Sequence, residues 1–228
     1  MCLQERLFKP QCTRFHGFDH VRIRGSVDPD LAQAVVSAMK RQPALPSASK
    51  LLEKLISWNG RGEKALLESD PLTALVYWNA ANTNLLAARN RRAWPGFVEA
   101  TGTDYTDHLS DVAFQIQSNR AQAYLQVAQT GLLGDDPEGP FMTWMTQVFS
   151  ACSDAMQMGK ILGTDWTASD DQQATVFYRW AKAHRLAEED VHFAENAIRR
   201  AADLRPGDQE ILSEMRRILD WKASVGLP

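Results

Sequence analysis

From Ser49 onward, apolar residues recur at spacings of three and four along most of the chain, the period that lines them up on one face of an α-helix. Val191, Ala194, Ala197, Ile198 and Ala201 show it most regularly. The periodicity predicts a first helix pair over Ser49–Glu68 and Pro71 to about Arg92, joined by a tight Ser69-Asp70-Pro71 turn. Breakers in Trp94-Pro95-Gly96 and Thr101-Gly102-Thr103 predict a loop after it. A second pair is expected over Asp107–Gln129 and Pro140–Met158, a third over Asp170–Ala187 and Glu189–Leu204, and a last helix from Gly207 to Trp221. Long helices with short turns mean antiparallel neighbours, so the expected fold is all-α: three stacked helix pairs and a capping helix. The connection through Gly134-Asp135-Asp136-Pro137-Glu138-Gly139-Pro140 is longer than inter-helix turns usually are, and such loops often carry function.

The N-terminal stretch follows a different pattern. Between Phe15 and Val27, apolar Val21, Ile23 and Val27 alternate with polar or small residues, a period of two that suggests one short strand or extended arm. A lone strand needs the helices, or a partner chain, to pair or pack with. Asp28-Pro29 then supplies a helix start, with Leu31, Ala34, Val35, Ala38 and Met39 on one face. Pro43-Ala44-Leu45-Pro46-Ser47 breaks that helix and reads as a linker. The chain is therefore expected to divide into an N-terminal arm over 1–46 and a helical domain over 47–228.

Superposing the pairs exposes a common skeleton. The first reads Trp58-x-x-Arg61-Gly62-x-x-Ala65, then Ala74-x-x-x-Trp78-x-x-Ala81. The third reads Phe177-x-x-Trp180-Ala181-x-x-His184, then Ala194-x-x-x-Ile198-x-x-Ala201, closing on Pro206. The middle pair is looser, with Ala121 small, Tyr124 large, and Val148, Cys152 and Ala155 on its second helix. These positions resemble the tetratricopeptide pattern, over roughly Ser49 to Trp221. Packing explains it: Gly62 or Ala181 is small where two helices touch, while Trp58 or Phe177 fills the gap beside it. Most tryptophans are accordingly expected in helix-pair interfaces.

Val176-Phe177-Tyr178-Arg179-Trp180-Ala181-Lys182-Ala183-His184 and Asn119-Arg120-Ala121 make the chain most similar to the three-repeat domains of immunophilin-type co-chaperones. The His16-Gly17-Phe18 arm and Gly25-Ser26-Val27-Asp28 also resemble fungal proteins of unassigned function. The co-chaperone resemblance implies a clamp for the C-terminal carboxylates of heat-shock chaperones, built from two lysines, two asparagines and an arginine. The matching positions here are Asn59, Glu63, Asn119, Thr175 and Arg179, of which only Asn119 and Arg179 keep the family residue. Glu63 would repel an incoming carboxylate by about 1 kcal/mol or more. The resemblance thus implies a related groove rather than the standard clamp. By register its lining is Asn59, Glu63, Ser118, Asn119, Gln122, Tyr178, Arg179 and Lys182, a row of amide, hydroxyl and cationic groups suited to an extended peptide.

Composition narrows the partners. Hydrophobic residues make 44% and charged residues 23% of the chain, as in an ordinary folded domain, and the formal net charge is -3 with no basic stripe. That argues against nucleic acid or an anionic membrane as partner, and no apolar run approaches bilayer length. Cys2, Cys12 and Cys152 are too scattered for a disulfide framework, so a reducing, cytoplasmic setting is expected. Cys12, His16 and His20 stand four apart but lack a fourth ligand, so no metal is expected. No nucleophile motif, phosphate loop or dinucleotide fingerprint is present, so no cofactor is expected either. The leading expectation is a non-enzymatic adaptor that binds a peptide or partner domain. The alternative is a small-molecule-binding protein or enzyme using Trp94, Asp104, Tyr105, Asp107 and His108 near the loop 93–108, with Asp165-Trp166 close by. A third option, an obligate subunit of a larger assembly, would give the N-terminal strand its pairing partner.

Overall fold

The computed structural model describes residues 45–130 and 138–226, and Gln33 alone before them. The expected arm, strand and first helix, and Cys12, His16 and His20, lie outside the described residues. So do residues 131–137 of the long connection.

Among the described residues every regular element is a helix: α1 Ala48–Leu67, α2 Pro71–Arg89, α3 Trp94–Thr101, α4 Thr103–Thr130, α5 Glu138–Met156, α6 Met158–Leu162, α7 Asp170–Ala187, α8 Val191–Leu204 and α9 Gln209–Ser224. Local chemistry sets several starts. The Asp70 carboxylate accepts the Thr73 N–H at 3.0 Å ahead of Pro71, whose missing N–H costs nothing in a first turn. Ser169 and Gln172 form a reciprocal capping box at α7. Asp190 caps α8, and Asp208 caps α9. Asp190 moves the start of α8 to Val191 from the expected Glu189, because a cap residue lies outside the helix it begins.

One sequence expectation is overturned. The stretch read as a loop from Trp94 is the two-turn helix α3, and α4 begins at Thr103, so Asp107 lies inside α4 and is not its cap. Pro95 falls in the first turn of α3, where proline is tolerated, and Gly102 (φ 78°) makes the left-handed break between the two helices.

Each long helix packs on its neighbours in chain order: α1 on α2, α2 on α4, α4 on α5, α5 on α7, α7 on α8, and α8 on α9. In addition α1 touches α4, α4 touches α7, and α7 touches α9, so the first helices of successive hairpins form one continuous row. One core runs from Leu51 on α1 to Ala183 on α7, and a second joins α7, α8 and α9 around Ile198, Ile211 and Ile218. The last helix is bound by charge as well. Glu214, 1% exposed, accepts from Arg185 of α7 at 2.5 Å and from Arg217 at 3.2 Å. None of the described helices is long and apolar enough to cross a membrane.

The tryptophans sit in interfaces as expected. Trp78 is fully buried and Trp94 nearly so, its indole N–H donating to the Leu162 carbonyl at 2.9 Å; the other five are partly buried. His184 is a packing residue, stacked on Phe149 at 4.3 Å and against Phe193 at 4.5 Å. Its buried Nδ1 has no hydrogen-bond partner, although a Glu189 carboxylate oxygen lies 3.8 Å away.

Gly62 is where α1 and α2 touch. A Cβ there would stand 2.5 Å from Trp78 Cε2 and 2.6 Å from its Nε1, inside van der Waals contact. Gly62→Leu is therefore expected to lower unfolding free energy by about 1–3 kcal/mol, the usual cost of overpacking; an unchanged denaturation midpoint would refute this packing. His184 generates a pH prediction. Burial depresses its pKa, against the smaller opposing pull of Glu189 and Asp190. A depressed folded pKa means the unfolded chain binds the proton first, so this contribution is intact above about pH 6.5 and is lost as pH falls through the folded value. Thermal melts should show that loss in the native chain and a flatter acid limb in His184→Phe.

Candidate functional site

The row of first helices presents a polar face, and a single helix, α4, supplies its middle. Asp111, Gln115, Ser118, Asn119 and Gln122 fall on one side of α4 because they are spaced by three or four residues. Across from them α1 offers Asn59 and Glu63, and α7 offers Gln172, Thr175, Tyr178, Arg179 and Lys182.

The seven residues expected to bind peptide fall into two groups. The first is Asn59, Glu63 and Asn119. Asn59 is buried, and its Oδ1 accepts the Trp78 indole N–H at 2.9 Å while its Nδ2 donates to Glu63 Oε1 at 2.8 Å. Asn119 Nδ2 reaches the same carboxylate at 3.4 Å and Asn59 Oδ1 at 3.5 Å. The Glu63 carboxylate thus already occupies the amide donors that would greet an anion there. Asn59 is tied into the core and presents no free group to a ligand.

The second group is Gln122, Tyr178, Arg179 and Lys182. Gln122, Tyr178 and Arg179 line a cavity of about 260 Å³ between α4, α7 and the start of α9, together with Thr175, Arg205, Asp208, Glu210 and Ile211. Lys182 lies beside it, its Nζ 5.8 Å from the Tyr178 ring centre. Arg179 Nη1 donates to the Ser118 carbonyl and, at 2.6 Å, to the Ser118 hydroxyl. No carboxylate pairs with it among the described residues, and burial pulls its pKa down. Arg205, by contrast, is saturated: it donates to Asp171 at 3.2 Å, Thr175 at 3.0 Å and Asp208 at 3.3 Å. Tyr178 donates its hydroxyl to Glu210 at 2.7 Å, and burial followed by that carboxylate raises its pKa. The cavity therefore holds one unpaired cation with acidic groups on its far wall.

Sequence reasoning missed Asp111, Gln115, Gln172 and Arg205. Asn59 donates to Gln115 at 3.5 Å, Gln115 to Asp111 at 2.8 Å, and Gln172 to Asp111 at 2.6 Å, a chain that crosses from α1 to α7. The signal was available for two of them, since Asp111 and Gln115 stand eight and four residues before Asn119. Arg205 gave no local signal, because it enters from the end of α8.

The alternative site assembles only in part. Asp107 and Asp165-Trp166 do line one cavity of about 510 Å³, with Val98, Glu99 and Thr106. Trp94 and Tyr105 do not reach it: Trp94 donates to Leu162, and the Tyr105 hydroxyl donates to the Ala48 carbonyl at 2.8 Å. His108 is exposed and does not line it. No group of three or more His, Cys, Asp or Glu side chains among the described residues is arranged to hold a metal ion. Cys152 is fully buried, which pushes its thiol up to about 12 and removes it as a nucleophile near neutral pH.

No family model, curated protein or solved structure matches the chain.

The Asn59–Trp78 bond separates a structural role for Asn59 from a ligand-binding one. Asn59→Ala leaves a buried indole N–H without an acceptor and is expected to cost about 1–3 kcal/mol in denaturant unfolding. A variant as stable as the parent would show that the bond contributes nothing.

Proposed function

We propose that the chain is a tetratricopeptide-like, non-enzymatic adaptor that holds an extended segment of a partner protein along the row of α1, α4 and α7. The observation that carries the reading is Arg179, a partly buried guanidinium that has no carboxylate within ion-pair distance among the described residues and lines an open cavity on that row. Desolvation of a cation is costly, and its bonds to Ser118 and the more distant charge of Glu210 offset that only in part; a ligand carboxylate would add a charge-assisted bond. The ordered helix neighbours and the small-residue contact at Gly62 support the repeat reading.

The same groups set the ligand's chemistry. Glu63 stands at one end with its carboxylate held by Asn59 and Asn119, and Asp208 and Glu210 stand on the far wall of the Arg179 cavity. A second anion next to the anchor meets like charge on either side. The fitting segment carries one acidic side chain or terminal carboxylate flanked by amide or basic groups. The doubly anionic tail of a chaperone fits poorly.

Two peptides titrated into the labelled protein decide this. A segment with one Asp flanked by lysines should bind more tightly than Glu-Glu-Val-Asp, which should be no better than weakly micromolar. Glu63→Asn should strengthen binding of the latter by releasing the two amides. Arg179→Met should weaken the single-anchor peptide about tenfold or more, given about 1.5–3 kcal/mol for a hydrogen bond to a charged group. Tight binding of the chaperone-type tail by the unmodified protein, or indifference to Arg179→Met in a folded variant, would overturn the reading.

A further inference from the structure

A second cavity, of about 220 Å³, opens between α2, α4, α5 and α6. Gln117 reaches it from another side of α4, turned by about 200° from Gln115 and by about 140° from Gln122. The cavity is therefore separate from the peptide row. Its floor is hydrocarbon: Leu85 and Met158 are buried, and Ile161 packs beside them.

Two charged groups interrupt this apolar lining, and neither has an ion-pair partner among the described residues. Asp154, half-buried on α5, accepts no hydrogen bond from the described residues; burial raises its pKa, and the charge of Arg120 only partly offsets this. Arg89, at the end of α2, donates Nε to the Ile161 carbonyl at 3.0 Å and Nη1 to Asn90 at 3.0 Å, leaving Nη2 unused. Between them Asn82 accepts from Gln117 at 2.7 Å through its Oδ1, which leaves its own N–H₂ without an acceptor. The unmatched functions are one acceptor anion, one cation and one amide donor, set around an oily floor.

We propose that this cavity binds a small zwitterion with an aliphatic body, of the class of free apolar α-amino acids. Its ammonium group pairs with Asp154, its carboxylate with Arg89 and the Asn82 amide, and its hydrocarbon covers Leu85 and Met158. A plain amine would leave Arg89 unmatched. A plain acid would leave Asp154 unmatched. The volume equals that of about seven liquid-water molecules at roughly 30 Å³ each, the scale of one such molecule.

Methyl NMR on the intact chain tests this, using the Met158, Leu85 and Ile161 methyls as reporters and three probes with the same branched hydrocarbon: L-leucine, isopentylamine, which lacks its carboxylate, and 4-methylpentanoate, which lacks its ammonium. Saturable shifts are expected with L-leucine, with affinity about tenfold or more above either singly charged probe, as expected for loss of one charge-assisted bond. Arg89→Gln, at an exposed position, should weaken L-leucine by a similar factor, and Asp154→Asn should do the same. Equal melting temperatures would show that both variants remain folded, and peptide binding at Arg179 should be unaffected. No saturable shift with L-leucine, equal binding of the amine or the acid, or indifference to Arg89→Gln would overturn the proposal.

Discussion

The bond from the Trp78 indole to Asn59 joins the core of this protein to its polar face. Trp78 fills the contact between the first two helices and is fully buried, so its N–H must find an acceptor inside the protein. Asn59 supplies that acceptor from α1, and the bond fixes the orientation of the amide. The other end of the same amide then points at Glu63 and Gln115. A packing requirement at Gly62 and Trp78 thus determines which group α1 presents to α4.

The polar chain that follows has a mechanical consequence. Asn59, Gln115, Asp111 and Gln172 link α1, α4 and α7 through side chains, beside the apolar contacts that already join those helices. A row of first helices tied in this way presents its groups at set spacings; for the segment-binding role proposed above, such preorganisation would lower the ordering cost of association. Saturation of most polar groups by one another also matters. At the α4–α7 junction it leaves Arg179, hydrogen-bonded to Ser118 but without a carboxylate among the described residues, beside Gln122 and Lys182.

The two faces of the stack handle charge differently. On the first-helix side, Glu63 and Arg205 are both satisfied from within, whereas Arg179 and Lys182 have no ion-pair partner among the described residues. On the second-helix side, Asp154 and Arg89 have no ion-pair partner among the described residues, and hydrocarbon lies between them. Opposite charges held apart by an apolar floor do not pair with one another; Arg89 is exposed, and Asp154 is half-buried under the charge of Arg120 alone. At the far end, Glu214 shows the contrary arrangement, a buried carboxylate gripped by Arg185 and Arg217 that fixes the last helix and leaves nothing to bind.

Helix content, the hairpin order and the contact residues were legible in the sequence because they depend on local period and side-chain size. The three-and-four spacing marked every long helix, and the Trp58–Gly62 and Ala74–Trp78–Ala81 spacings marked where helices meet. Local rules misread Trp94–Thr101 as a loop, since a proline and a glycine in a row count against a helix unless they fall in its first turn, as they do in α3. The candidate site was legible only as a list of positions. Register placed Asn59, Glu63, Asn119, Gln122, Tyr178, Arg179 and Lys182 near one face, but hydrogen bonding is a property of pairs far apart in the chain. Only the tertiary structure decided that Asn59 belongs to Trp78, that Glu63 takes up the two amides, and that Arg205 arrives from another helix already saturated while Arg179 stays unpaired. The periodicity of a helix fixes which way a side chain faces, whereas its charge balance depends on which neighbours the fold brings within about 3 Å.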